Sequence, residues 1–340
     1  MKQQICLVPK LDGLGGMVSF QAKLIQGLAA RKIPYSFDIH DPNNQVILVI
    51  GGTRQLWALW QAKRRGVAIV QRLDGMNWMH KVERTSLRTF RRAEVNNWLL
   101  AFIRRHLADH IVYQSKFSRD WWIRKHGNTN ASHSIVYNGI DLNAYSPQGP
   151  ETPPNDHIRI LLVEGHLDGA NARGLMTALS LAKHVTKNTS RTVELMVVAD
   201  VSDALKAITH SSAPDLWITW RGVVPRKAIP AIDRGAHFLF STDINAACPN
   251  SVIEAMACGL PVLAYDTGSL SELVQQGAGC VVPYGSDYWR LENPVISPLA
   301  SAAVEIIKDN PTYRQGARER AQSTFDLDAM VESYLSALER

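Results

Sequence analysis

Cysteine is scarce and scattered in this chain, at Cys6, Cys248, Cys258 and Cys280 alone, with no C-x-x-C pair and no histidines at zinc-ligand spacing. That pattern excludes a disulfide scaffold and a zinc-finger-type site, and it predicts a protein of a reducing cytoplasm that needs no metal. Long apolar runs are missing too. The first, Ile5 to Pro9, gives way at once to charged and glycine positions, too short for a signal-peptide core or a membrane span. Internal repeats and low-complexity tracts are absent. So is the composition of disorder, because hydrophobic residues make up 46% and charged residues 20%.

What is present is enough apolar residue for a sizeable core in 340 residues, a length at which two domains are expected. Short β-branched runs recur at Ile5–Pro9, Val46–Ile50, Val67–Val70 and Ile111–Tyr113, then at Ile158–Val163, Val193–Val198, Phe238–Phe240 and Val262–Tyr265. Helical patterns lie between most of them. Buried strands alternating with amphipathic helices predict parallel sheets with crossover helices, and here the alternation runs twice. The fold class is therefore α/β, with two Rossmann-like doubly wound domains. The stretch SPQGPETPPNDH, 146–157, reads as an exposed linker between domain 1–145 and domain 158–324. After it, 325–340 carries Phe325, Met330, Tyr334 and Leu338 at roughly helical spacing and reads as a terminal amphipathic helix.

Charge divides unevenly between the halves. Residues 1–150 hold 21 Lys and Arg against 9 Asp and Glu, whereas the remaining 16 basic residues face 22 acidic ones. A basic first half suggests an anionic partner such as a phosphorylated substrate, an anionic lipid surface or nucleic acid. Within it, 80–109 places Arg84, Arg88, Arg91, Arg92, Arg104 and Arg105 beside Leu87, Phe90, Val95, Trp98, Phe102 and Ile103. Such a helix can lie on anionic lipid, or it can be core on one side and solvated charge on the other. No nucleic-acid motif accompanies it, so nucleic acid is not expected as a partner.

Three segments carry candidate chemistry. Asp12-Gly13-Leu14-Gly15-Gly16 follows the first strand and precedes a helix, where glycines let backbone amides approach a phosphate. The same turn, with Asp38 ending the next strand about 20 residues on, where a ribose-binding acid belongs, also reads as part of a dinucleotide fingerprint, although Val18 stands where its third glycine belongs. Gln71-Arg72-Leu73-Asp74-Gly75 ends a strand; Arg72 could bind an anionic acceptor and Asp74 could orient its hydroxyl, or the two could simply pair. The densest segment runs from Ala247 through Asn250, Ser251 and Glu254 to Val262. Its helix start could face a pyrophosphate with free amides while Glu254 accepts ribose hydroxyls; Ser251-x-x-Glu254 is equally a capping box, which needs no ligand.

The segment ACPNSVIEAMACGLPVLAYDTGSLSELV resembles the donor-binding signature of glycosyltransferase family 4. WRGVVPRKAIPAIDRGAHFLF and SIVYNGIDL resemble the flanking segments of that family and keep its order, so that the resemblance covers about half the chain. It implies a GT-B architecture of two Rossmann-like domains facing a cleft, with the last helix returning to the first domain. The implied activity is retaining, metal-independent transfer of a hexose from a UDP- or GDP-linked donor to a hydroxyl acceptor in polysaccharide, lipopolysaccharide or glycolipid synthesis. No cofactor is implied beyond the nucleotide-sugar itself.

Carried onto this sequence, the resemblance makes Glu254 the ribose-contacting glutamate and Asn250, Ser251 and Val252 the amide-bearing stretch. Gly15 and Gly16 become the loop facing the donor phosphate, and Gly165, His166 and Arg173 stand where the family has a glycine and its basic pair. Asp74, Arg72 and Arg173 are the side chains expected to serve the reaction. One departure is clear: Ala246 occupies the position of the family's first motif glutamate, and Asp243 lies three residues away. That departure motivates a second reading, a sugar-nucleotide-binding protein with lost or altered transfer. An NAD-dependent dehydrogenase is the third. The expected setting is cytoplasmic and peripheral on the inner membrane face.

Overall fold

The computed structural model describes residues 4–13 and 15–339. Met1–Gln3 at the start, Leu14 of the glycine segment and Arg340, the last residue of the expected terminal helix, lie outside the described residues. The chain divides into two compact units, one of Met1–Gly139 with Leu327–Arg340, the other of Ile140–Asp326.

The first unit runs β1 (Gln4–Val8), α1 (Gly16–Ala30), β2 (Tyr35–Ser36), β3 (Asn44–Ile50), α2 (Leu56–Arg64), β4 (Ala68–Leu73), α3 (Leu87–Phe102), β5 (His110–Tyr113), α4 (Lys116–His126) and β6 (Ser132–Ile135). Its six strands pair in parallel in the order β2-β1-β3-β4-β5-β6. Strands such as QICLV and NQVILVI are apolar almost throughout because helices cover both faces of the sheet, which leaves no solvent side to alternate toward.

The second unit runs β7 (Ile158–His166), α5 (Ala172–Thr189), β8 (Val193–Asp200), α6 (Asp203–Ser212), β9 (Trp217–Trp220), α7 (Ile229–Arg234), β10 (Phe238–Phe240), α8 (Asn250–Ala257), β11 (Val262–Tyr265), α9 (Leu270–Leu273), β12 (Gly279–Val282), α10 (Ile296–Lys308) and α11 (Asn310–Thr324). Its strands are also parallel, in the order β12-β11-β10-β7-β8-β9. The chain then returns to the first unit with α12 (Leu327–Leu338). There Met330, Val331, Tyr334, Ala337 and Leu338 join Phe20, Leu24 and Leu28 of α1 in one core cluster. Arg31 reaches across to Asp328 and Glu332 at 3.1 and 2.7 Å and fixes the register of the two helices.

The expected single helix across 80–109 is broken into parts. A short 3-10 turn covers Met79–Lys81, Ser86 caps α3 by accepting from the Thr89 amide, and a π-helical turn follows at Ile103–Leu107. The extra residue in that turn rotates Arg104 inward, where Nε donates to the Tyr113 hydroxyl and Nη2 to the Gly127 carbonyl.

Candidate functional site

In the second unit β7 comes first in sequence, yet its sheet neighbours are β8 on one side and β10 on the other, so the crossovers leave in opposite directions. Open α/β sheets bind ligands beyond the carboxyl ends of the strands at such a switch point. Glu164, Gly165 and His166 end β7, and Ser241, Thr242 and Asp243 follow β10. Beyond them the loop to α8 is held by backbone contacts. The Ser269 amide donates to the Ala246 carbonyl at 2.9 Å, and Thr267 Oγ1 donates to the Asp243 carbonyl at 3.0 Å. Gly268 makes this approach with φ at 61°, and a Cβ there would lie 2.6 Å from the Ala246 backbone nitrogen and oxygen.

The start of α8 is not closed by a side chain. Pro249 is its N-cap and no side-chain capping hydrogen bond is made, so the capping box expected from Ser251 and Glu254 does not form. Ser251 is already inside the helix. Asn250, Ser251 and Val252 therefore carry first-turn amides that the helix itself cannot satisfy, at the positive end of its dipole. Glu254, half-buried, lies one turn further on, within electrostatic reach of Asp233 on α7. Burial, and then the charge of Glu254, hold the Asp233 carboxyl well above its ordinary range.

The other expected donor-side residues are more exposed. His166 ends the inner strand β7, with Nδ1 3.3 Å from Asp200 Oδ2. Arg173, in the first turn of α5, donates from Nη1 to the Leu291 carbonyl at 3.0 Å, and Gly165 has open space where a side chain would project. The residue that sequence reasoning missed is Glu164. Its Oε1 accepts from Thr242 Oγ1 at 2.7 Å, and Ser241 Oγ donates to Asp243 Oδ2 at 3.3 Å. Burial and the neighbouring charge of Asp243 push Glu164 up to about 8, and burial raises Asp243 as well. A carboxyl pair thus stands at the switch point. The only signal for it in the sequence was an acid ending the apolar run ILLVE.

In the first unit Gly15 is the N-cap of α1 with φ 127°, a conformation that suits glycine, and it offers no side chain to the helix start. Gly16 is the first helical residue, and both glycines are exposed. Across the carboxyl ends of β1, β3 and β4 lies a depression of about 600 Å³, lined among others by Leu11, Met17, Thr53, Arg54, Asp74 and Asn96. Asp74 is half-buried. Its carbonyl accepts from Ser118 Oγ and Trp122 Nε1, both at 2.8 Å, which fixes the turn after β4. Burial raises the Asp74 carboxyl above its usual range while Arg72 opposes the rise.

Arg72 and Asp74 do not pair directly. The Arg72 guanidinium is 1% exposed, packs 3.9 Å from the centre of the Phe20 ring and donates from Nη2 to Asn138 Oδ1 at 2.9 Å. Its Nε and Nη1 have no hydrogen-bond partner. A buried cation with two unmet donors is costly unless an anion or water meets them. Asp38, the acid of the dinucleotide reading, follows β2 and accepts from the His40 amide at 2.9 Å, closing its own turn. Among the described residues no three His, Cys, Asp or Glu converge as metal ligands.

Residues 158–309 match the family model of glycosyl transferases group 1. No curated protein matches the chain in sequence. Among solved structures it is similar to sucrose-phosphate synthase from Thermosynechococcus elongatus, with a TM-score of 0.73 at 16% identity over 98% of each chain. It is similar also to WaaG, a glycosyltransferase involved in lipopolysaccharide biosynthesis, with a TM-score of 0.71 at 13% identity over 98% of this chain and 99% of WaaG. A third likeness is to HepE from Anabaena, solved in complex with UDP and glucose, with a TM-score of 0.69 at 15% identity over 99% of each chain. Residues 158–309 are thus similar to the glycosyl transferases group 1, in a chain whose fold is that of the GT-B glycosyltransferases.

Proposed function

We propose that the chain is a retaining, metal-independent hexosyltransferase that takes its sugar from a nucleotide-diphosphate donor and delivers it to a hydroxyl acceptor in polysaccharide, lipopolysaccharide or glycolipid synthesis. The observation that carries this reading is the uncapped start of α8, inside the segment that matches the group 1 model. In the reaction the bond from the sugar's anomeric carbon to the diphosphate oxygen breaks, and negative charge gathers on the departing nucleoside diphosphate. Preorganised amides meet such charge without reorganisation, which is how Asn250, Ser251 and Val252 serve the transfer. Arg173 adds a cation on the same side, and Glu254 accepts the ribose hydroxyls.

On the acceptor side, Asp74 takes a hydrogen bond from the attacking hydroxyl in the first unit's depression, while Arg72, buried and outside its lining, has no reach to the acceptor and acts only through its charge on the Asp74 carboxyl. UDP is the first nucleotide to try, because HepE, of similar fold, was solved with UDP and glucose. The working site is the cytoplasm, at the inner face of an anionic membrane.

A thermal-shift comparison of UDP, GDP and ADP tests the nucleotide site, since a ligand that binds only the folded state raises its apparent stability. The expected result is a shift with UDP or GDP that exceeds the ADP shift, followed by release of nucleoside diphosphate from the matching donor sugar when acceptor is present. No shift with any nucleotide overturns the reading. A shift without turnover of any donor favours the second reading, a nucleotide-binding protein without transfer, which Ala246 supports.

A further inference from the structure

One helix of the first unit faces two ways. α3 has no buried residue, although Asn96, Leu99 and Leu100 on one side line the depression that holds Asp74. On its opposite side Leu87, Arg88, Arg91, Val95 and Trp98 form an exposed stripe, with Leu87 77% and Trp98 57% exposed. Spacings of three and four residues put these five on one face. An apolar stripe left in water is normally covered by something.

Charge identifies the cover. Arg84, Arg88, Arg91 and Arg92 are all exposed and none makes an ion pair with a described residue. Glu94, the one acid within α3, is already engaged by His80 at 2.7 Å and Lys81 at 3.0 Å. The unmatched charge of this face is therefore positive. Beside it, α2 packs against the π-helical turn that continues α3 and carries Trp57, 66% exposed, stacked on Trp60 at 4.6 Å, with Arg64 over the Trp60 ring. Arginines interleaved with tryptophan and leucine suit the headgroup level of a bilayer, where indole rings meet the acyl boundary and guanidinium groups meet anionic headgroups. No described helix is long and apolar enough to cross a membrane, so the attachment is to a surface.

We infer that the outward face of α3, with Trp57 and Trp60 of α2, docks on an anionic lipid bilayer, so that the depression walled by the inner face of the same helix opens where membrane lipids present their hydroxyls. The second clause deepens the transferase reading and rests on it; the docking does not.

The test is co-sedimentation of the full chain with vesicles of phosphatidylcholine alone and with about three parts in ten phosphatidylglycerol, at low and high salt. The expected result is binding at least about tenfold tighter to the anionic vesicles at low salt, lost at high salt. R88E with R91E should weaken it by a further factor of about ten or more, and W98A by several-fold. Both variants change exposed side chains, so an unaltered melting temperature and an unaltered UDP shift confirm that fold and nucleotide site persist. No vesicle binding, equal binding to neutral vesicles, or variants that bind like the parent overturns the docking, as does retention by RNA or an acidic peptide in preference to anionic vesicles. Vesicle binding without any nucleotide shift leaves the docking standing and removes the clause about the acceptor.

Discussion

At the scale of single residues, the carboxyl pair of Glu164 and Asp243 ties stability to pH. Glu164 binds its proton more tightly in the folded chain, up to about 8 against an ordinary 4.5, so its contribution is full below about 4.5 and is lost as pH rises through about 8. Glu164→Gln keeps an oxygen for Thr242 to donate to and carries no charge. It should match the parent in acid and exceed its melting temperature near pH 8 by about 5 °C, read in a pH series of thermal melts. A flat difference across that range would show that Glu164 does not hold the proton. Gly268 leads to a second expectation. Gly268→Ala forces a side chain onto the Ala246 backbone at an unfavourable φ, so the loop into α8 must move. A loss of about 1–3 kcal/mol in urea melts, together with a much reduced nucleotide shift, is expected.

At the scale of elements, α8 decides between a cap and a ligand site. Because Pro249 is the cap, Glu254→Gln removes no capping bond and should leave the melting temperature within a degree or two of the parent. Nucleotide affinity, measured by calorimetry, should fall about tenfold through the weakened ribose contacts. Eight strands were legible in the sequence because each is a buried apolar run. Of the others, β2 showed only as a strand ending near Asp38 and β6 only as the strand end in SIVYNGIDL, while β9 and β12 were missed because they are short and half-exposed, and GCVV carries too little pattern to register. The break of 80–109 was hidden for another reason: a π-helical turn depends on where Arg104 finds its partners, which periodicity does not contain. Of the site, the α8 segment and the glycine turn were visible as local motifs. Glu164 was not, since its meaning depends on Asp243, 79 positions away in sequence and brought near only by β10 pairing with β7.

At the scale of the whole molecule, the first unit is assembled from two distant stretches of chain, and α12 is the second of them. Its five buried side chains cover the face of α1 that carries Phe20, Leu24 and Leu28. Burial worth about 1.5–3 kcal/mol for each large side chain is comparable with the whole stability of an ordinary domain. A chain ending at Asp326 should therefore lose protection from proteolysis across 4–139 while 140–326 keeps both its resistance and its nucleotide shift. Equal resistance of both units would show α12 to be dispensable. There is a consequence in time as well. The ribosome finishes the whole of Ile140–Asp326 before it makes Leu327–Leu338, so the second unit can mature during synthesis while the first waits with an unsealed greasy seam. Until Leu327–Leu338 emerges, the face of α1 that carries Phe20, Leu24 and Leu28 lacks its cover, and uncovered apolar surface of that kind is what chaperones bind and proteases reach first.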